Sequence, residues 1–168
     1  VDIKQAEFTE TENIDSEENK LDAVAENFQA PITGITKKLS DIEDKGFASG
    51  AMGEGFAIEM QDGKVVAPFS GEVMVCFPTG HAYGLKSNDG KEILIHIGMD
   101  TVELDGKGFD VKVQAGQKIK QGDVLVNVDI DYVKSQGKSL VTPIVFTDGH
   151  KVELLQENVA VKAGDENI

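Results

Sequence analysis

The chain has 168 residues and a formal net charge of −14, with 16 basic residues against 30 acidic ones. Every basic residue is lysine, and an acidic chain without arginine is poorly built to hold a phosphate backbone, which argues against nucleic-acid binding. The single cysteine, Cys76, excludes an internal disulfide, and no apolar run reaches the ~18 residues of a membrane helix, so no direct membrane insertion of this segment is expected.

The charge is unevenly spread. Val1 to Phe28 hold nine acidic residues against Lys4 and Lys20, which is half of the net charge in a sixth of the chain. Glu10-Thr11-Glu12-Asn13-Ile14-Asp15-Ser16-Glu17-Glu18-Asn19 has the low hydrophobicity and self-repulsion of a disordered tether. Residues 1–27 are therefore read as an acidic flexible linker and residues 28–168 as one compact domain. The acidic start lacks both an initiator methionine and a signal-peptide pattern, which suggests a piece of a longer chain.

From Gln29 onward, short apolar stretches alternate with Gly, Asp-Gly and Pro, the pattern of a many-stranded β-sandwich or barrel. Gln29-Ala30-Pro31-Ile32-Thr33-Gly34 recurs as Val66-Ala67-Pro68-Phe69-Ser70-Gly71, each a strand entering a bend, with a partial third echo at Val141-Thr142-Pro143-Ile144. Asp62-Gly63, Asp89-Gly90 and Asp148-Gly149 are predicted tight turns. Val73-Met74-Val75-Cys76-Phe77 reads as a strand with Cys76 as a small buried hydrophobe. Helix is predicted only at Asp129 to Gly137, where Ile130, Val133 and Lys134 are spaced for one face.

Two of the three histidines stand out. In Glu92-Ile93-Leu94-Ile95-His96-Ile97-Gly98, alternation sends Ile93, Ile95 and Ile97 to the core and Glu92, Leu94, His96 and Gly98 to the other face. Gly98 then leaves space beside the imidazole. In Pro78-Thr79-Gly80-His81, Thr79 and His81 face the same way if extended, which sets a hydroxyl beside a second imidazole. Imidazole accepts and releases a phosphoryl group near neutral pH, so a phosphohistidine relay is the first functional reading. His150, after Asp148-Gly149, reads as a solvated turn residue. His81 and His96 with Asp100 would make an incomplete zinc site, so no cofactor is expected beyond adventitious zinc at His81 and His96.

Ala115-Gly116-Gln117-Lys118-Ile119-Lys120-Gln121-Gly122-Asp123-Val124-Leu125 resembles the turns of biotinyl and lipoyl swinging-arm carriers. The Met-Lys-Met or Asp-Lys-Ala setting of their modified lysine is missing, which leaves this as a minor alternative.

Several blocks, in order, resemble the glucose-family enzyme IIA domain of the bacterial phosphoenolpyruvate-dependent sugar phosphotransferase system. They are Phe47-Ala48-Ser49-Gly50-Ala51-Met52-Gly53-Glu54-Gly55, Val66 to Gly71, Pro78-Thr79-Gly80-His81-Ala82-Tyr83-Gly84-Leu85, Glu92 to Leu104, Gly106-Lys107-Gly108-Phe109 and Leu140 to Ile144. The likeness covers Ala30 to Val161, and the Phe47 block is most similar to domains fused to β-glucoside, sucrose or trehalose permeases.

The resemblance implies an all-β fold, an antiparallel sandwich of curled sheets built on a duplicated hybrid motif with short helical turns. It also implies a phosphotransferase component on the cytoplasmic side of the bacterial membrane, tethered to a permease, or cytoplasmic if free. His96 matches the histidine that accepts phosphate from the histidine-containing phosphocarrier protein and passes it to a cysteine of a IIB domain. His81 matches the second active-site histidine, Thr79 the threonine that orients it, and the Gly98 carbonyl is the expected acceptor for the His96 ring. Asp44, Phe47, Met52, Phe77, Leu94, Asp100 and Val102 match positions around the site and are the expected partner-binding residues. A phosphorylation-dependent regulatory binding protein is the alternative function.

Overall fold

The computed structural model describes residues 2–3, 27–166 and 168. The expected linker lies almost wholly outside the described residues. Of it, Asp2–Ile3 form a two-residue strand, β1, and the Asn27 side-chain amide donates to Glu166 at 3.0 Å.

The strands that follow are β2 (Ile32–Lys38), β3 (Glu54–Val66), β4 (Gly71–Cys76), β5 (Ala82–Ser87), β6 (Glu92–His96), β7 (Phe109–Val111), β8 (Lys118–Ile119), β9 (Val124–Val128), β10 (Val141–Phe146), β11 (Val152–Glu153) and β12 (Ala160–Val161). Two short helices, α1 (Lys45–Ala48) and α2 (Ile130–Ser135), and 3-10 turns at Leu39–Asp41 and Thr101–Leu104 complete the fold. Ten strands form one antiparallel sheet in the order β12-β2-β3-β10-β6-β5-β4-β8, with β9 and β7 added beside the far end of β3. The expected sandwich is this one ladder curled over its own core. Phe56, Ile58, Tyr83, Ile93, Ile95, Ile97, Leu125, Ile144 and Phe146 fill that core.

The repeat read in the sequence is a true structural duplication. Gln29 N–H donates to the Pro68 carbonyl at 3.1 Å, and its counterpart Val66 N–H donates to the Pro31 carbonyl at 2.8 Å. Ala30 N–H reaches the Asp165 carbonyl and Ala67 N–H the Asp123 carbonyl, both at 2.8 Å. The Ser70 hydroxyl accepts from Gln121 N–H and the Thr33 hydroxyl from Ala163 N–H, both at 2.9 Å. Lys120-Gln121-Gly122-Asp123 and Lys162-Ala163-Gly164-Asp165 are thus a second repeated pair, each closed by its aspartate accepting from the lysine N–H at 2.8 Å. The strand order is accordingly palindromic: β2 corresponds to β4, β3 to β5, β10 to β6 and β12 to β8. Val141-Thr142-Pro143-Ile144 does not share the bend geometry; it lies within β10.

Gly90 and Gly149 take positive φ of 97° and 89° in the predicted turns. Asp62-Gly63 is no turn: it is a bulge inside β3, between the Gly34–Met60 and Ile32–Val65 pairs. A Cβ on Gly63 would sit 2.0 Å from the Val128 carbonyl oxygen, so glycine is there for close approach of β9. α2 forms where predicted, capped by Asp129 accepting from Tyr132 N–H at 3.1 Å; Ile130 and Val133 face the core, whereas Lys134 is exposed. α1 was not legible as a helix because its four residues include Gly46, which lowers propensity.

Gly34 and Gly71, equivalent in the duplication, are packed so tightly that a Cβ would fall 2.0 Å from the Glu59 carbonyl oxygen and 1.9 Å from that of Lys86. Gly34→Ala and Gly71→Ala are each expected to destabilise the domain by about 1–3 kcal/mol, because backbone must give way. Denaturant midpoints measure this, and a loss below ~0.5 kcal/mol at either site would show that the close approach is not restrictive.

Candidate functional site

The alternation read in the sequence holds in β6: Ile93, Ile95 and Ile97 are buried in the core, and Leu94 and His96 are half-exposed on the other face. On one side β5 pairs with β6, setting Ala82 opposite His96. On the other side the β10 ladder stops at Ile144–Ile95, one pair short of His96. The next β10 residue is Pro143, which has no N–H to donate. His96 therefore ends its strand with one flank free.

His81 enters from the turn before β5. Gly80 N–H donates to the Phe77 carbonyl at 2.7 Å, with Pro78 second in the turn and Gly80 at φ +73°. The segment is a turn, and still Thr79 Oγ1 lies 2.5 Å from His81 Nδ1. The His81 and His96 rings stand edge to face, with centroids 5.1 Å apart. Phe77 lies 5.4 Å from the His81 ring and Phe47 lies 5.3 Å from the His96 ring, so each imidazole has an aromatic neighbour.

His96 Nδ1 is 2.8 Å from the Gly98 carbonyl oxygen. A carbonyl only accepts, so Nδ1 carries the hydrogen and Nε2 of the neutral ring keeps its lone pair. Gly98 takes φ +71°, and a Cβ there would lie 2.5 Å from the Ser139 carbonyl oxygen. Glycine is required twice over at this position, by conformation and by space. His81 is almost fully buried; its pKa is lowered from 6.5, first by that burial and then by the neighbouring His96.

The residues expected around the site divide by exposure. Met52, Phe77 and Val102 are exposed, at 43%, 42% and 51%. Phe47 is buried, and Leu94 packs with it in a small second cluster with Leu39, Ile42, Ala57 and Val145 on this outer face of the sheet. They act as the wall behind His96 more than as open contact surface. Asp44 caps α1, accepting from Gly46 N–H at 2.8 Å and so setting the helix that carries Phe47. Asp100 is exposed at φ +60°, immediately before the Thr101–Leu104 turn.

Among the described residues no group of three or more His, Cys, Asp or Glu side chains is placed to hold a metal ion, so Asp100 does not join the two histidines. Cys76 is half-buried, with its thiol pKa raised by burial. His150 is not freely solvated as expected: it is half-buried, with Nδ1 2.6 Å from Asp148, which also accepts from Glu92 N–H. Sequence reasoning missed Thr101, Ser139 and Thr142, which hold the loop after His96; the Thr-Pro of β10 was visible only as a weak repeat.

Residues 26–152 match the family of the phosphoenolpyruvate-dependent sugar phosphotransferase system, EIIA 1. The chain is 40% identical to the glucose permease IIA from Mycoplasma capricolum, over 84% of this chain and 92% of that one, with a TM-score of 0.78. No helix among the described residues is long and apolar enough to cross a membrane.

The depressed pKa of His81 carries a sign for stability. Between its folded value and 6.5 the unfolded chain binds more protons than the folded one, so this residue makes the fold less stable as pH falls through that window. An NMR titration of the His81 ring is expected to give a midpoint below 6.5. In His96→Gln the midpoint should rise and remain below 6.5, because burial is the larger cause. A His81 midpoint at or above 6.5 in the native chain would contradict the buried, neutral ring.

Proposed function

The chain belongs to the glucose-type enzyme IIA family of the phosphoenolpyruvate-dependent sugar phosphotransferase system, and from that premise we propose that His96 is its phosphoacceptor. Domains of this family are phosphoryl carriers in sugar uptake that interact with the histidine-containing phosphocarrier protein and with IIB domains. The observation that carries the proposal is the His96 Nδ1 contact to the Gly98 carbonyl, which leaves Nε2 as the nucleophile.

In the proposed sequence, Nε2 attacks the phosphorus of the carrier's phosphohistidine; the new N–P bond forms as the donor N–P bond breaks. A thiolate of the IIB domain then attacks the same phosphorus and His96 leaves as neutral imidazole. His81, buried and neutral, accepts the Thr79 hydroxyl hydrogen at Nδ1 and presents Nε2–H to the phosphoryl oxygens. Met52, Phe77 and Val102 are the apolar contacts for both partners, and Asp44 and Asp100 meet cations that the partners bring. The reading needs no cofactor. It places the domain on the cytoplasmic side of the bacterial membrane, joined to a permease through residues 1–27.

The test separates the two half-reactions. Incubation with the general phosphotransferase proteins should give one acid-labile phosphate, abolished in His96→Ala. In His81→Gln the first transfer should persist while transfer to a IIB cysteine slows ~10²–10³-fold, the usual loss for one preorganised donor. Label retained in His96→Ala would sink the phosphoacceptor assignment, and equal forward rates by rapid quench would make His81 a bystander.

A further inference from the structure

The loop after His96 is held peptide by peptide. The 98–99 peptide turns its N–H to the Ser139 carbonyl at 3.1 Å and its C=O to His96 Nδ1 at 2.8 Å. The preceding 97–98 peptide is gripped on both edges by threonine hydroxyls: the Thr101 hydroxyl donates to the Ile97 carbonyl, and Gly98 N–H donates to Thr142 Oγ1 at 3.1 Å. Thr142 is fully buried in β10, and its own hydroxyl hydrogen goes to the Leu140 carbonyl at 3.2 Å. Both of its hydrogen-bonding capacities used here are spent on backbone.

We infer that Thr142 is a positioning residue for the phosphoryl transfer: by holding Gly98 N–H it fixes the carbonyl that keeps the His96 hydrogen on Nδ1. The inference rests on the reading of His96 as phosphoacceptor. Gly98 needs such a hold because glycine at positive φ is free to move to other backbone conformations. Were the 97–98 peptide to rotate, the next carbonyl would swing away from the imidazole and the ring would lose the bond that selects its tautomer. Without Thr142, Gly98 N–H would also be buried with no partner, a cost that favours rotation. Thr101 restrains the same peptide from its other edge, so the pair sets its plane, and both hydroxyls are engaged with backbone.

Thr142→Val removes the hydroxyl and keeps the shape, whereas Thr142→Ser restores it; Thr142→Ala is a second hydroxyl-free variant should valine not be accommodated. The first readout needs no phosphate: long-range 1H–15N NMR of the His96 ring at neutral pH. The native chain and Thr142→Ser should show predominantly the Nδ1–H tautomer. Thr142→Val and Thr142→Ala should show a larger Nε2–H fraction with native-like dispersion elsewhere. Phosphorylation by the phosphocarrier protein should then slow about 10–100-fold in the hydroxyl-free variants, the scale known for losing a partner that orients a metal-bound histidine, and recover in Thr142→Ser. Folded hydroxyl-free variants with the native tautomer ratio and native rate would overturn the inference, as would a serine variant that behaves like valine. A phosphate mapped elsewhere than His96 in the native chain would defeat the phosphoacceptor reading itself, and the tautomer measurement distinguishes the two failures.

Discussion

Two hydrogen bonds join the Pro-containing bends to each other, Gln29 N–H to Pro68 C=O and Val66 N–H to Pro31 C=O, and they set the constraint on which the rest of the molecule depends. The Pro68 bend carries the chain from β3 into β4 and the Pro31 bend leads into β2, and residues 67–70 and 29–31 pair in no ladder. Their backbone groups are nevertheless buried: Ala30 and Ala67 are completely inaccessible. Buried N–H and C=O groups must be paired, so each bend takes its partners from the other bend and from a Gly-Asp turn, Gly122-Asp123 after β8 for one and Gly164-Asp165 after β12 for the other. One half alone would leave these groups orphaned. The duplication is thus a condition of satisfying the backbone, and the palindromic strand order follows from it.

The site is where that symmetry is broken. The pairs Tyr83–Ile95 and Phe56–Ile144 are equivalent, which makes Glu54 the counterpart of His81 and Val145 the counterpart of His96. The difference between the halves begins in the connections. Residues 39–53, between β2 and β3, make a 3-10 turn and α1, which pack over Val145, whereas residues 77–81, between β4 and β5, make one tight turn. The long connection covers the outer face of one half and reaches Phe47 across to His96. The short one leaves the other half open and seats His81, itself buried, beside His96. Two near-identical scaffolds therefore give one walled and one open side, with both imidazoles at their border.

How much of this was legible follows from the range of each interaction. The β6 alternation is local, so the division between Ile93, Ile95, Ile97 and the His96 face could be read directly. The Pro-containing repeats were also readable, because bend chemistry is written in the residues that make the bend. The Lys-Gln-Gly-Asp and Lys-Ala-Gly-Asp pair escaped notice because only Lys, Gly and Asp recur and their shared role lies in backbone contacts with residues far away in sequence. Asp62-Gly63 misled for a related reason: the dipeptide is the same in a turn and in a bulge, and the Val128 carbonyl that demands glycine there is distant in the chain. The assignment of His81, Thr79, Asp44 and Asp100 to one site came from the family resemblance, since spacing alone left their roles open. Thr142 lay beyond both, since its hydroxyl meets Gly98 only once β10 and β6 are side by side.

The electrostatics of the site bear on why a carrier would be built this way. The chain contains no arginine, and the flanking positions Asp44 and Asp100 are acidic, so a phosphoryl group on His96 would meet no fixed guanidinium. On the proposed reading this is an advantage: a strong clamp would stabilise the phosphorylated state and raise the barrier to passing the group onward. What the site offers instead is neutral and directional, a buried imidazole and a tautomer fixed by a backbone carbonyl. Exposed Met52, Phe77 and Val102 fit the same reading, because apolar side chains release water when a partner docks, and charge supplied by the partner acts more strongly in the dehydrated contact than in the open site. Stabilisation of the transferring group is thereby confined to the docked complex, the only state in which transfer is useful.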